Sequence, residues 1–421
     1  MISKSEKWGF VFASLVFVLV TFSLPAATET LLVAKSGAQF SSIQSAIDSA
    51  DPGDTVRVRE GIYEENLSVD KDLTLKGVGA SKVKIDGKKE GQPVLHVGPS
   101  KVEVTVKDLT LQGAKRNSSQ NPCKDEEEKG FCPTGLAAVG DSEIKVKGVT
   151  ISGNFIGIFL EGSSRATVDS SKIKDNEFGI MLGESARATV ENSKISENGE
   201  SGIALMKSVK ATIENSRITG NKAGITIGGS AKATINNSEI SGNGKPGITL
   251  VNSSRATIEG NKVSGNGNTG ISVGKSARAT VKKNTISENG VAGIFLFGSA
   301  QATVESNKVS GNGNTGIGVG GSASINVKNN KIKENKFGII LGDSARATVD
   351  NSEIMENELG ISLEDSTQAT VQNNFIRKNN TGIKIYKPEK FRGTLEGSGN
   401  RIIDNGTDFI GVSKSTKEEL I

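Results

Sequence analysis

Chemistry needs side chains that ionise, ligate or attack, and in this 421-residue chain they fall into rows rather than clusters. One set of carboxylates, Asp169, Glu191, Glu214, Glu259, Glu305 and Asp350, closes successive copies of a phrase such as RATVE. Cations open the same phrase: Arg165, Arg187, Lys210, Lys232, Arg255, Arg278 and Arg346, with Gln301 and Gln368 interrupting them. Between the two runs a Thr row that includes Thr167, Thr189, Thr212, Thr234 and Thr257. A glycoside hydrolase needs two carboxylates of unequal pKa, and a polyuronate lyase needs a base with calcium or Arg on the uronate. Such a centre breaks a repeat, whereas these acids follow it. They are read as surface, and no catalytic residue is assigned. The cationic row is the candidate ligand-binding set, because Arg takes carboxylates bidentately. Its competing reading is a solubilising face with opposite charges on neighbouring rows. The Thr row raises ice binding as a third reading, which charged flanks disfavour.

The remaining reactive side chains are few. His96, the one histidine of the sequence, is expected to face outward between apolar neighbours as a surface side chain and is not assigned as a base. Cys123 and Cys132 lie in the segment AKRNSSQNPCKDEEEKGFCPT, residues 114–134, and two thiols without His fall short of a zinc site. In an exported chain they are expected to form a disulfide. The acidic run Asp125–Glu128 beside them is a conceivable calcium ligand set, but such runs are usually solvated, so no cofactor is assigned. Met181, Met206 and Met355 are too scattered to hold a soft metal. Platforms for sugar stacking are scarce: Tyr63 and Tyr386 lie at opposite ends, and Phe155, Phe178, Phe337 and Phe375 read as turn or edge packing. With 51 basic against 47 acidic residues, there is no basic excess of the kind a nucleic-acid binder shows.

The elements that position these rows follow from the repeat. A middle apolar residue recurs every 22 or 23 residues, from Ile151 to Ile376. Three residues after each comes Asn: Asn154, Asn176, Asn198, Asn221, Asn243, Asn266, Asn289, Asn312, Asn335, Asn357 and Asn379. A Gly-Ile pair then follows, four residues away in the longer repeats and three in the others. The longer ones place Gly directly after Asn (Gly199, Gly244, Gly267, Gly290, Gly313), which predicts a wider turn needing positive φ. Alternation within a repeat has period two, so Ala, Val, Ile, Ile and Leu point inward from three short strands. One coil cannot bury that set, but stacked coils can. The fold class is all-β, a right-handed parallel β-helix solenoid, of about fourteen coils and roughly 65 Å at 4.8 Å per coil. The Asn residues are read as a structural ladder of stacked amides rather than a ligand row.

The ends differ from the repeats. Residues 1–28 carry Lys4 and Lys7 before an apolar run from Gly9 to Leu24, which reads as a signal peptide, or as an anchor if uncleaved. Residues 29–105 hold the N-terminal cap and first coils. There Ile43, Ala46, Ile47 and Ala50 share one helical face, with Ser41 and Gln44 at capping-box spacing, so an amphipathic helix should close the mouth of the solenoid. Residues 106–412 are regular repeats carrying the 114–134 loop, and residues 413–421 form a polar tail expected to be mobile.

The order IQSAID, GDTVRV, GIYEENLSV, LTLKGVG and VKIDG between residues 43 and 87 resembles the opening of exported pectin-lyase-like β-helix proteins. It is most similar to NosD-type periplasmic proteins and to the carbohydrate-binding and sugar-hydrolase modules grouped with them; DNEFGI and GNKAGI look like their repeats. The resemblance implies an extracytoplasmic protein, secreted, surface-bound or periplasmic, whose partner is carbohydrate or another envelope component. Residues and resemblance together lead to the expectation of a non-catalytic binder of acidic polysaccharide. The alternatives are a polysaccharide lyase or hydrolase acting on polyuronates, and a NosD-like periplasmic accessory protein. Copper delivery is not carried over, since the soft ligands are lacking. Membrane contact is expected only through the N-terminal segment, and the sequence leaves the oligomeric state open.

Overall fold

The computed structural model describes residues 28–115 and 132–421. Each coil contributes one strand to each of three parallel sheets, which run the length of a right-handed solenoid. Sheet A holds 16 strands, from Thr30–Val33 to Thr394–Glu396, and includes the RATVE segments; sheets B and C hold 15 strands each. Sheet B carries the middle apolar residue and sheet C the Gly-Ile segment. The rod is about 70 Å long at strand spacing, slightly more than the repeats alone indicate, because strands already coil from residue 30 onward.

Register is what turns repetition into a core. Ile218, Ile240 and Val263 are directly stacked in sheet B, as are Val190, Ile213 and Ile235 in sheet A. All six are at most 1% exposed. The core is one aliphatic column, with aromatic residues packed only at its ends, as Phe40, Phe391 and Phe409 show.

In the regular repeats each coil turns three corners, and each of these uses a residue in the left-handed region. In the coil after Ile195 they are Glu197, Lys207 and Asn215, with φ of 58°, 59° and 49°. The residue before the ladder Asn always takes this role, as Gly242, Gly265, Glu288 and Gly311 do next. The wide turns correct the sequence expectation. None of Gly199, Gly244, Gly267, Gly290 and Gly313 has positive φ; at Gly267, Gly290 and Gly313 glycine is required by stacking, whereas a Cβ on Gly244 would meet nothing nearer than 3.5 Å. A Cβ on Gly290 would lie 2.4 Å from the carbonyl oxygen of Gly267, and one on Gly313 only 2.1 Å from that of Gly290.

Two polar ladders satisfy the corners. Between sheets B and C, Asn198 Oδ1 accepts from both the backbone N–H and Nδ2 of Asn176, each at 3.1 Å. Asn176 Nδ2 also donates to the carbonyl of Ile151 at 3.1 Å, so the amide is fully used. The same contacts recur from Asn154 to Asn405. Between sheets A and B runs a second ladder, which the sequence reading did not single out. Its members change from Ser193, Ser216 and Ser238 to Asn261, Asn284, Asn307 and Asn330. Each accepts the N–H of the coil before, a task for which either a hydroxyl or an amide serves.

Both mouths are closed. Helix α1, Ile43–Ser49, buries Ile43, Ala46 and Ile47 at the N-terminal end. Its N-cap is Ser42 rather than Ser41, accepting from the N–H of Ser45 at 3.3 Å. Instead of Gln44, the Glu65 carboxylate takes the free N–H groups of Ile43 and Gln44, at 3.0 and 2.9 Å. The polar tail is not mobile. Residues 414–420 form helix α2, capped by Ser413, whose Leu420 is fully buried and whose Leu420 carbonyl accepts from Asn400 Nδ2 at 2.7 Å. One apolar residue in an otherwise polar tail is enough to plug the open end. The signal or anchor segment expected at 1–28 lies outside the described residues up to residue 27, as do Cys123 and the acidic run Asp125–Glu128 in the 114–134 loop.

Replacing Ile240 by Asp puts an unpaired charge inside the column and should cost several kcal/mol, about 3 or more. Replacing Glu239 by Lys loses a surface pair with Arg217, 3.5 Å long, and a hydrogen bond from Ser241 Oγ at 3.1 Å, and should change stability by about 1 kcal/mol. Thermal melts with equal losses for both would overturn the inward and outward assignment. Gly290→Ala should likewise cost about 1–3 kcal/mol through overpacking. Gly242→Ala, at φ 62° with nothing within 4 Å of its Cβ, should cost about 1 kcal/mol through backbone strain alone. Hydrogen exchange should show the Gly290 defect localised to the coils between residues 244 and 313.

Candidate functional site

A five-residue strand with alternating burial shows solvent its first, third and fifth side chains. In Arg187–Glu191 these are Arg187, Thr189 and Glu191, while Ala188 and Val190 enter the core. In-register pairing turns the three positions into three rows along sheet A. Arg165, Arg187, Lys210, Lys232, Arg255 and Arg278 are consecutive in the first row. Gln301 and Ser324 then separate them from Arg346. The cationic and Thr rows, with the Ala between them, line an open trough along the sheet, and no member of the acidic row lines it. Its larger part encloses about 850 Å³, lined by the Arg, Ala and Thr positions from Lys232 onward. The remainder, about 480 Å³, reaches back to Glu143 and shares Lys232, Ala233 and Thr234.

The two charged rows are not electrostatically alike. Among the described residues, Arg165, Arg187, Lys210, Lys232, Arg255, Arg278 and Arg346 make no ion pair or side-chain hydrogen bond. The acidic row is partly neutralised by lysines in or beside it. Lys147 reaches Asp169 at 3.0 Å, Lys282 reaches Glu305 at 2.9 Å, and Lys283 reaches Glu259 at 3.2 Å. Hydrogen bonds from Asn192, Lys147 and Ser170 hold the Asp169 carboxyl below its ordinary pKa. The Lys282 hydrogen bond and charge do the same for Glu305. Glu191 and Glu214 have no such partner among the described residues.

A feature missed in the sequence appears once register is known. Toward the N-terminus the rows exchange sign. The first row becomes Glu143 and Glu103, and the fifth-position row becomes Lys147, Lys107, Lys76 and Arg57. Irregular spacing before residue 143 hides this alignment from a search for repeats.

The other candidates disperse. His96 stacks between Ser68 and Ala137 on sheet C, where burial lowers its pKa below the ordinary value. Tyr63 is buried, its hydroxyl donating to the Arg59 carbonyl at 3.0 Å, and burial raises its pKa. Phe155 and Phe178 pack edge to face at a corner, centroids 5.8 Å apart, and Phe375 lies under both Arg377 and Arg401. The scarcity of aromatic platforms needs correction: Phe295 and Phe297 sit side by side on sheet C, 38% and 36% exposed, with centroids 6.3 Å apart. The alternation Phe-Leu-Phe was the available signal. Among the described residues no three His, Cys, Asp or Glu side chains gather to hold a metal, and no helix is long and apolar enough to cross a membrane.

Solved structures similar to the chain include the A-module of the Azotobacter vinelandii mannuronan C-5 epimerase AlgE6. Identity is 16% over 85% of this chain and 93% of that one, with a TM-score of 0.49. The catalytic unit of the GH87 α-1,3-glucanase of Streptomyces thermodiastaticus is 17% identical over 93% of this chain and 71% of that one, at a TM-score of 0.44. Erwinia chrysanthemi pectin methylesterase PemA is 16% identical over 51% of this chain and 80% of that one, at a TM-score of 0.37. No curated protein matches the sequence. Residues 134–281 and 269–418 both match the right handed beta helix region, and with three parallel sheets wound around one column the chain belongs to that family of right-handed parallel β-helices.

Proposed function

We propose that the protein is an extracytoplasmic, non-catalytic β-helix that binds an acidic polysaccharide along the cationic row of sheet A. The observation that carries this reading is the run of six unpaired cations from Arg165 to Arg278, in register at strand spacing. Stacked like charges repel, so the bare row is raised in energy, and a ligand with carboxylates in line would relieve it. A polyuronate presents one carboxylate on each sugar, and the Arg members can grip these bidentately. The Thr row supplies hydroxyls for the sugar ring beside the cations. The acidic row at the other edge of the strands limits affinity and selects an orientation that keeps the ligand's carboxylates to one side.

Binding should be weak and should fall with salt, because exposed charges are screened within about 8 Å at physiological ionic strength. Changing Arg187, Lys210, Lys232 and Arg255 together to Gln should weaken binding to pectate or alginate about tenfold or more, if each exposed contact is worth roughly 0.2–1 kcal/mol. Neutral glycans should show no such dependence. Calorimetry at low salt giving equal affinities for parent and variant would reduce the row to a solvated face. New unsaturated or reducing ends in the same mixtures would replace binding by lyase or hydrolase activity.

The disulfide between Cys123 and Cys132 belongs to the same extracytoplasmic reading. Mass spectrometry of natively exported protein should show the two joined, and reduction should loosen the 114–134 loop without melting the coils. Two free thiols would count against both the bond and the compartment.

A further inference from the structure

Opposite charges at the two ends of seven sheet A strands are a second regularity, separate from the cationic row, while Lys232–Asn236, Arg278–Lys282, Gln301–Glu305, Ser324–Lys328 and Gln368–Gln372 lack the match. Arg165 is matched by Asp169, Arg187 by Glu191, Lys210 by Glu214, Arg255 by Glu259, and Arg346 by Asp350. Where the rows exchange sign the match survives, reversed, as Glu103 with Lys107 and Glu143 with Lys147. A linear polyanion gains nothing from that reversal, since Glu143 and Glu103 stand in its path. One ligand does gain from it at each matched coil: the same face, turned around.

We propose that sheet A docks the sheet A of a second copy of this chain, the two rods lying parallel about a twofold axis along their length. This operation sets the first position of each strand against the fifth position of the same strand in the other copy. Arg187 then meets Glu191 of the other copy, Lys210 meets Glu214, and Glu143 meets Lys147, each contact occurring twice by symmetry. An antiparallel pair would set the Arg/Lys row against itself and is disfavoured. The face is suited to contact in shape as well as charge. Its middle row is mostly of short Thr side chains, and packed sheets approach to about 10 Å, a gap that the long charged side chains of the two edges can span together. A strip about 13 Å wide and 70 Å long covers about 900 Å², against about 800 Å² per partner in a stable interface. Two contacts oppose it. Arg278 and Lys282 are alike in sign, and Lys145 would face its own copy, although Glu103 already pairs with it.

The proposal does not rest on the glycan reading, but the two share the cationic row. The acidic row of one copy occupies the place a polyuronate would take in the other, so glycan and second copy should compete.

The test uses the full chain and two charge variants, R187E/K210E/R255E and E191K/E214K/E259K. Sedimentation of the parent at micromolar concentration and low salt should show a dimer that dissociates as salt rises. Each variant alone should be monomeric, because both of its rows then carry one sign through the centre of the face. An equimolar mixture should regain the dimer as a one-to-one heterodimer, which also shows that both variants are folded. Adding polyuronate to the parent should release monomer. The lysine variant should bind polyuronate more tightly than the parent while failing to dimerise by itself, which separates loss of the dimer from loss of the glycan site. A parent that is monomeric at low salt, or variants that dimerise alone as the parent does, would overturn the proposal whatever the glycan result. A dimer with no polyuronate binding would leave it standing and remove the glycan reading instead.

Discussion

Everything in this molecule depends on one constraint: no coil can bury its own inward side chains or satisfy its own corner amides. Ile240 is enclosed because Ile218 and Val263 lie directly below and above it. Asn243 is satisfied because Asn266 Oδ1 accepts both its backbone N–H and its Nδ2, at 3.2 and 2.9 Å. Each residue is thus completed by its equivalent one coil away, and stability is a sum of nearest-neighbour terms. The constraint explains Gly267, Gly290 and Gly313 of the wide turns, where a carbonyl of the neighbouring coil rather than φ excludes a side chain. It also explains why the chain needs caps. The last coil at either end has no neighbour, and α1 and α2 stand in for one, through Ile47 and Leu420.

The same constraint shapes the surface. A period that places Ile over Ile also places cation over cation from Arg165 to Lys210 and Glu191 over Glu214, and only a substitution within the repeat, as in the succession Glu259, Lys282, Glu305, Lys328 and Asp350, intersperses the charge. Relief has to come from such a substitution, sideways or from a ligand. In the acidic row it comes from lysines set in or beside the row, such as Lys282 and Lys283. In the cationic row no such relief is present among the described residues from Arg165 to Arg278. That difference between two rows of one sheet gives the cationic row its claim to a function.

Much of this was legible in the residues, and the rest was lost for identifiable reasons. Period, alternation and the Asn-Gly-Ile phrase determine the three sheets, because each is a direct consequence of stacking. The Ser/Asn ladder escaped notice because its members change chemistry between Ser238 and Asn261 while keeping one role, acceptance of a backbone N–H. The glycine rationale went astray because a contact with the neighbouring coil is invisible in a single turn. The tail was misjudged because one buried Leu420 outweighs seven exposed or half-buried neighbours at an open end, which composition does not show. The exchange of sign between Glu143/Lys147 and Arg165/Asp169 needed the register of the irregular first coils, where repeat spacing fails. What the sequence could not convey in each case was which residue of another coil lies alongside.

A rod built this way presents rows that suit ligands sharing its repeat. A compact enzyme site gathers unlike groups at one point, whereas here unlike groups are held at constant separation along a line. The partners that fit are therefore linear and periodic: an extended polymer with one charge per unit, or a second rod of the same kind. Between these the pattern of signs discriminates. A polymer of one charge would favour a row of one charge from end to end, and the first row does not keep its sign past Arg165. A second copy requires only that the two edges differ in sign, and that relation holds on both sides of the exchange, from Glu103/Lys107 and Glu143/Lys147 to Arg165/Asp169, Arg187/Glu191 and Lys210/Glu214. The edge-to-edge opposition is thus the more general property of the face, and the cationic run is the part of it that a polyanion can also use.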